Sequence, residues 1–346
     1  MSTPSLRRVI LAGGRGFLGN AIKKQLSIAG YKVTLVSRKA GEEDTISWES
    51  LENEGLPETD VVINLAGAPI LDLAKPWTKK YEQECVDSRV KTTQTLAKLA
   101  AESKKKPEVF IATSAVGYYP TSLTAKYTED YISSASLDGW AAGLCHKIED
   151  ASAPAILHPD SLQINAFPRS ILERKTRMFF LCGYRSDTRS HSEAGIRTVQ
   201  MRMGVIMGRG GGAYANMKLP LRLGVAFHVL IWGLTLNKIR FPWIHLDDAA
   251  GLYQFAAEEK KVSGPLNAVS PHCVSNGSFM TQIAHAWWRP AIFAVPAFLL
   301  NLIGKERAAM LLEGQHVIPR KAIDLGYHFK FPYVDQACNE IVNGAD

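Results

Sequence analysis

A cluster of glycines set directly behind a short apolar run constrains this chain more than any other feature. Val9-Ile10-Leu11-Ala12, flanked by Arg7 and Arg8, runs straight into Gly13-Gly14-Arg15-Gly16-Phe17-Leu18-Gly19. An unbroken apolar run of this kind reads as a strand covered on both faces. Beyond the glycines, Leu18, Ile22 and Leu26 recur four apart, the spacing of one helix face, and Gly30 supplies a stop. Tyr31 to Val36 then reads as a second strand. Glycine permits the tight turn, lets the backbone approach an anion and allows the helix to pack closely on the strand. The helix N-terminus meanwhile offers free N–H groups to that anion. With its strand before and its helix after, the motif predicts a dinucleotide-binding turn.

The end of the second strand selects the dinucleotide. An acidic residue there would bond the ribose 2′-hydroxyl and favour NAD. The chain carries Ser37-Arg38 instead, followed by Lys39. A hydroxyl and a planar, two-pronged cation suit a 2′-phosphate, so the expected cofactor is NADP(H).

Composition narrows the class. At 346 residues, 46% hydrophobic and 21% charged, the chain is long enough for one large domain, or a core domain with an appendage. The net charge of +7 is spread along the sequence. Its densest run, Lys104-Lys105-Lys106, follows a helical stretch and precedes Pro107, so it reads as a solvated helix end, and no nucleic-acid partner is expected. Cys85, Cys145, Cys182, Cys273 and Cys338 include no C-x-x-C pair. That pattern predicts neither a zinc site nor a disulfide framework, and points to a reducing, intracellular and cytoplasmic setting. Residues 1–8 lack the apolar centre of a signal peptide. Residues 291–303 are short and interrupted by Pro296, and residues 219–236 contain Arg222 and His228, so no membrane span is expected.

Farther on, Asp60-Val-Val-Ile-Asn-Leu-Ala-Gly67 reads as another buried strand ending in a small-residue turn. A long helix runs from about Trp77 to Glu102, and strands follow at Val109 to Ser114 and Thr198 to Ile206. This alternation predicts an α/β, Rossmann-type, doubly wound parallel sheet.

Several segments then carry a resemblance. Gly13-x-x-Gly16-x-x-Gly19, Asn64-Leu-Ala-Gly67, Thr113-Ser114-Ala-Val-Gly-Tyr-Tyr119 and Trp243-Ile-His-Leu-Asp-Asp248 occur in the order seen in extended short-chain dehydrogenase/reductases. Ser88-Arg89, Arg202-Met-Gly-Val-Ile-Met-Gly-Arg-Gly-Gly-Gly212, Gly264-Pro-Leu-Asn267 and Leu311-Leu-Glu-Gly-Gln-His-Val-Ile-Pro319 narrow it. Over nearly its whole length the chain resembles the atypical group called epimerase family proteins, and within it family 39U. The resemblance implies NADP contacts at Gly13, Gly14, Arg15, Gly16, Phe17, Leu18, Ser37, Arg38, Leu65, Ala66, Glu84, Arg89 and Ile206. Spacing alone makes Glu84 and Arg89, five apart, a solvated surface pair.

The same resemblance frames the chemistry. Ordinary members of the superfamily use a strand-end Ser with a Tyr-x-x-x-Lys pair, whose Lys lowers the pKa of the Tyr. Ser114 stands at the strand end, and Gly143-Leu-Cys-His-Lys147 fills the Lys position but not the Tyr position, a tyrosine the related group also lacks. The candidate catalytic residues are therefore Ser114, Tyr118 and Lys147. Tyr118, with Tyr119 next to it, could stack near a nicotinamide, but both read first as packing tyrosines; His245 reads as structural and His146 as solvent-facing. No Ser/His/Asp spacing suggests a hydrolase, and no His/Cys cluster suggests a metal.

Two stretches depart from the resemblance. Residues 152–195 make a connection far longer than usual in α/β units. With Pro154, Pro159, Pro168, a basic patch from Arg169 to Arg177 and one amphipathic piece, Ser170 to Cys182, they read as a poorly packed surface excursion. At 225–238, the bulky Phe227-His-Val-Leu-Ile-Trp-Gly-Leu replaces a glycine-rich loop that would face the substrate. The expected organisation is an NADP-binding domain over 1–239 and a small substrate-side region over 240–346. Two function classes follow. One is an oxidoreductase or epimerase acting on an unidentified small carbonyl or sugar-like substrate. The other is a catalytically weak or inactive protein that binds NADP(H) as a regulatory ligand.

Overall fold

The apolar run becomes β1 (Arg8–Ala12), and the glycine turn leads into α1 (Phe17–Ile28) and β2 (Lys32–Ser37). At the end of α1 the Gly30 backbone takes a φ of +84°, and the Tyr31 N–H returns to the Leu26 carbonyl at 2.9 Å, a glycine-terminated helix end as expected. β3 (Thr45–Ser47) feeds α2 (Trp48–Glu54), whose first turn is capped by the Ser47 hydroxyl accepting from the Ser50 N–H at 3.0 Å. β4 (Val61–Asn64) precedes α3 (Lys79–Glu102), capped in the same way by Thr78. β5 (Val109–Ala115), β6 (Lys126–Tyr127), α4 (Trp140–Ala151), β7 (Arg197–Met203), β8 (Val205–Gly208) and α5 (Gly212–Arg222) follow.

In this computed structural model the described residues are 6–39, 41, 43–72, 75–133, 139–153, 195–222, 227–231, 234–235, 239–289, 293–296, 304, 306–308 and 314–344. Most of the expected excursion, 154–194, lies outside them, with its basic patch and its amphipathic piece. So do 223–226, 232–233 and 236–238 of the bulky stretch. Within that stretch β9 (Phe227–Ile231) pairs with β10 (Leu234–Thr235).

The chain continues through β11 (Arg240–Phe241), β12 (Trp243–His245), α6 (Leu246–Glu258), β13 (Gly264–Ala268), β14 (Val274–Ser275) and α7 (Asn276–Ala286). β15 (Phe293–Pro296), β16 (His316–Val317), α8 (Arg320–Asp324) and α9 (Val334–Asn343) complete it.

Seven strands form one parallel sheet in the order β13-β7-β5-β4-β1-β2-β3. The order reverses between β1 and β4, which opens a crevice at their carboxyl ends. Alternate residues face opposite layers. Val9, Leu11, Val61, Ile63 and Ile111 pack towards α1 and α6, whereas Ile10, Ala12, Val62, Phe110 and Ala112 pack towards α2 and α3. The fold is thus the α/β, doubly wound sheet expected.

The expected boundary at 239/240 does not divide the sheet. α6 packs in the same core as α1, and β13 forms the sheet's edge beside β7, so residues 246–268 complete the first core. A second core lies among α5, α7 and α9, with Tyr214, Phe279, Ile283, Ala337 and Ile341 buried against Trp243 and Met207.

Candidate functional site

The glycine turn sits at the crevice and explains its own sequence. Gly13 has a φ of +78°, and a Cβ there would stand 2.7 Å from the Leu65 carbonyl carbon. Gly19 closes the helix onto the turn, since a Cβ on it would meet the Gly13 carbonyl oxygen at 2.4 Å. Between them the Gly16 N–H bonds the Gly13 carbonyl at 3.1 Å. Gly16 is also the cap residue of α1 and offers no side-chain acceptor, and the first turn holds no acid. Its N–H groups are left for an anion. Gly14 is buried, Arg15 is exposed beside the turn and Leu18 packs on the core. The Phe17 ring turns away, against the 208–212 turn, where a Cβ on Gly211 would fall 2.4 Å from it.

Opposite, Leu65 and Ala66 leave β4 with their N–H groups fixed. The Leu65 N–H bonds Ala12 at 2.9 Å and the Ala66 N–H bonds Asn64 Oδ1 at 3.0 Å, while Asn64 donates to Thr93 Oγ1 at 2.8 Å. The next residue, Gly67, lies under the Arg89 guanidinium, whose carbon would stand 2.8 Å from a Cβ there. Arg89 Nη1 donates to the Cys85 carbonyl at 3.0 Å, and burial draws its pKa below the usual range. Glu84 is exposed on the same helix and forms no ion pair with Arg89, so the two do not act as a surface pair. Ser37 ends β2 with its hydroxyl accepting from the Lys39 N–H at 3.3 Å, and Arg38 projects into solvent. Ile206 lies on β8, in register with Ile244 of β12.

Ser114 and Arg202 are register partners on β5 and β7, and both are buried. Among the described residues the buried Ser114 hydroxyl meets no polar group but the Cys145 thiol. Beside it is the Cys145 thiol, which reaches the Ala115 carbonyl at 3.5 Å and is pushed up to about 11 by burial. Arg202 makes two bonds to Glu149, Nε to Oε1 and Nη2 to Oε2, each 2.9 Å. Its Nη1 donates to the Tyr119 hydroxyl at 2.9 Å, which donates onward to Asn267 Oδ1 at 2.7 Å. The guanidinium also lies 3.4 Å from the centre of the Tyr118 ring. Burial raises the pKa of both tyrosines, Tyr119 to about 12.

This geometry shifts the helix frame expected for catalysis. Lys147 is exposed, and a Cβ on Gly143 would meet nothing within 4 Å. The two share the outward face of α4. The pair at the same spacing that faces β5 and β7 is Cys145 and Glu149. Ser114 and Tyr118 are thus each placed against Arg202, the one as its register partner and the other under its guanidinium, and Lys147 lies on the opposite face of α4. His146 is not solvent-facing. Its ring lies 4.4 Å from that of Tyr118, its Nε2 is buried without a partner, and burial lowers its pKa. His245 has the structural place expected: Nδ1 accepts from the Asp247 N–H at 3.2 Å to cap α6, and Nε2 meets Glu340 at 2.9 Å.

Sequence reasoning missed Arg202, Glu149 and Cys145. One signal was available: Thr198, Gln200 and Arg202 alternate with Val199, Met201 and Met203, which marks one face packed against polar partners. Gln200 meets Ser152 and Arg202 meets Glu149, both contributed by α4 or its end. Among the described residues no group of His, Cys, Asp and Glu suits a metal ion, and no helix is long and apolar enough to cross a membrane.

A glycine turn at the switch point of a seven-stranded parallel sheet, with a serine at the end of β5, defines a Rossmann-fold protein of the short-chain dehydrogenase/reductase type. The NAD dependent epimerase/dehydratase family matches residues 9–137, and a domain of unknown function, DUF1731, matches residues 295–341. The Bos taurus epimerase family protein SDR39U1 is 36% identical over 97% of this chain and 99% of its own length. Epimerase family protein YfhF of Bacillus subtilis is 30% identical over 96% of this chain and 97% of its own. The crystal structure of human SDR39U1 (isoform 2) with NADPH superposes with a TM-score of 0.80 at 34% identity, covering 98% of this chain and all of that one. The chain belongs to the SDR39U1 family of epimerase family proteins.

Proposed function

We propose that this protein binds NADP(H) in the β1–β4 crevice and works as an oxidoreductase on a small carbonyl or sugar-like substrate. The observation that carries the reading is the uncapped α1 N-terminus at the carboxyl edge of the sheet, where β2 ends at Ser37-Arg38 on one side of β1 and the turn after β4 lies under Arg89 on the other. Neither guanidinium bonds a carboxylate among the described residues. A dinucleotide phosphate supplies the missing negative charge. The NADPH bound to the human relative supports the same choice.

In this reading the main chain from Gly13 to Leu18, through Gly14, Arg15, Gly16 and Phe17, holds the pyrophosphate. Ser37 and Arg38 take the 2′-phosphate. Leu65, Ala66, Glu84, Arg89 and Ile206 line the remainder. When bound, the nicotinamide gives or accepts a hydride. The buried Ser114 hydroxyl orients the substrate carbonyl, and Tyr118 donates or accepts the proton. The second core and the segments beyond residue 268 form the substrate side.

A second reading rests on one observation: α4 turns Cys145 and Glu149 towards Ser114, where the superfamily's hydride chemistry uses Tyr and Lys. A protein so built holds NADP(H) as a regulatory ligand without turnover. The test is NADPH oxidation across a panel of aldehydes, ketones and quinones, repeated with Ser114→Ala and Tyr118→Phe. Turnover lowered about 10²-fold or more by either change supports the enzyme reading. Robust turnover indifferent to both refutes the site, and tight NADPH binding without turnover selects the second reading.

A further inference from the structure

A second cation lies on the same side of the sheet and is not used by the cofactor site. Arg307 is 2% exposed. Its Nε donates to the Ile70 carbonyl and its Nη1 to the Lys75 carbonyl, both at 2.8 Å, while Nη2 is buried with no partner among the described residues. The guanidinium lies 4.6 Å from the Trp77 ring centre, and Trp77 meets Trp140 edge to face at 5.1 Å. Trp140 Nε1 is a second buried donor without a partner among the described residues. Trp140 opens α4, about one and a half turns before Cys145 beside Ser114. The 70–75 carbonyls that hold Arg307 belong to the connection leaving Gly67, the residue beneath Arg89. Glu306, next in sequence, is engaged by the Trp77 indole N–H at 2.8 Å.

Carbonyls satisfy two edges of the guanidinium but do not neutralise it. Among the described residues no carboxylate forms an ion pair with it, and a buried Arg without an anion is strongly disfavoured. Arg89 and Arg307 both act on the Cys85 thiol, so this end of α3 carries two cations, and the cofactor reading accounts for one.

We propose that Arg307, with Trp140 Nε1 beside it, is an oxyanion-binding subsite for the substrate, which therefore carries a carboxylate or a phosphate. The inference rests on the oxidoreductase reading for its substrate, but its test does not depend on turnover. Trp77, on which the guanidinium lies, and Trp140 flank the donors that the anion would reach. Their fluorescence reports its arrival.

The experiment titrates the full-length protein, saturated with NADPH so that the glycine turn is filled, with acetate, pyruvate, inorganic phosphate and glycerol 3-phosphate, followed by tryptophan fluorescence and thermal shift. Binding by the carboxylates or by the phosphates identifies which oxyanion the site takes. Arg307→Met is expected to weaken it about ten-fold or more, with NADPH affinity unchanged. Trp140→Phe keeps the ring, removes the donor and should weaken binding by a smaller factor, which keeps the test open if Arg307→Met does not fold. If NADPH itself does not bind, the same titration on the cofactor-free protein decides between the variants, so the two readings fail separately. Absence of any anion response, or an equal response in wild type and both variants, makes Arg307 a clamp on the 70–75 segment and overturns the proposal.

Discussion

Arg202 and Glu149 form a buried, two-bonded ion pair that ties β7 to α4 beneath Ser114. The side chains are 3% and 15% exposed, so water screens the pair little. Removing one partner strands the other charge, which typically costs about 3–5 kcal/mol, whereas an apolar pair of similar volume is close to neutral. Arg202→Met should lower the unfolding free energy in urea by that amount, and Arg202→Met/Glu149→Leu should recover much of it. A double variant less stable than the single would contradict this account.

The helix frame gives a second prediction. Lys147 is exposed and Cys145 faces Ser114. Lys147→Ala should change stability by less than about 0.5 kcal/mol and leave NADPH affinity intact. A large loss of either would restore Lys147 to the site.

The first strand-turn-helix-strand unit was legible because its determinants are local: a glycine that needs a positive φ, another that a Cβ would drive into a carbonyl, and one helix face. The α4 frame was not. Aligning on Lys147 selected the outward face, because nothing local says which of two adjacent four-residue spacings meets β5. The partner that settles it, Arg202, is 53 residues from Glu149 in sequence. Arg307 was unreadable for the same reason, since its two carbonyl acceptors lie more than 230 residues earlier. Across the expected boundary at 239/240, β13 returns to the first sheet beside β7, a pairing that only tertiary structure reveals.

Phe17 links the glycine turn to a distant element. Its ring fills the space beside Gly211, where a Cβ would stand 2.4 Å from it. Overpacking of this kind typically costs about 1–3 kcal/mol. Gly211→Ala should therefore displace Phe17 and weaken NADPH binding in a fluorescence titration. Adding Phe17→Leu should restore part of the loss. Unchanged affinity in Gly211→Ala would uncouple the two elements.

His146 predicts a pH effect of definite sign. Burial lowers its folded pKa below the unfolded value of about 6.5, so the unfolded chain takes up the proton first as pH falls. The stability it contributes is present above pH 6.5 and is lost as pH drops through that value towards the folded pKa. His146→Phe keeps a ring against Tyr118 and removes the titration. Between pH 7.5 and 5.5 the variant should lose less stability in urea than the wild type, and equal losses would refute the assignment.

The central claim is that the crevice at the glycine turn holds NADP(H), selected by Arg38 at the end of β2. Calorimetric titration of the purified protein with NADPH and NADH, repeated on Arg38→Asp, tests it most directly. A charge-assisted bond of about 1.5–3 kcal/mol predicts that NADPH binds roughly ten-fold or more tightly than NADH, and that Arg38→Asp removes most of this preference. Equal affinities in the wild-type protein, or a preference that survives the substitution, would contradict the account.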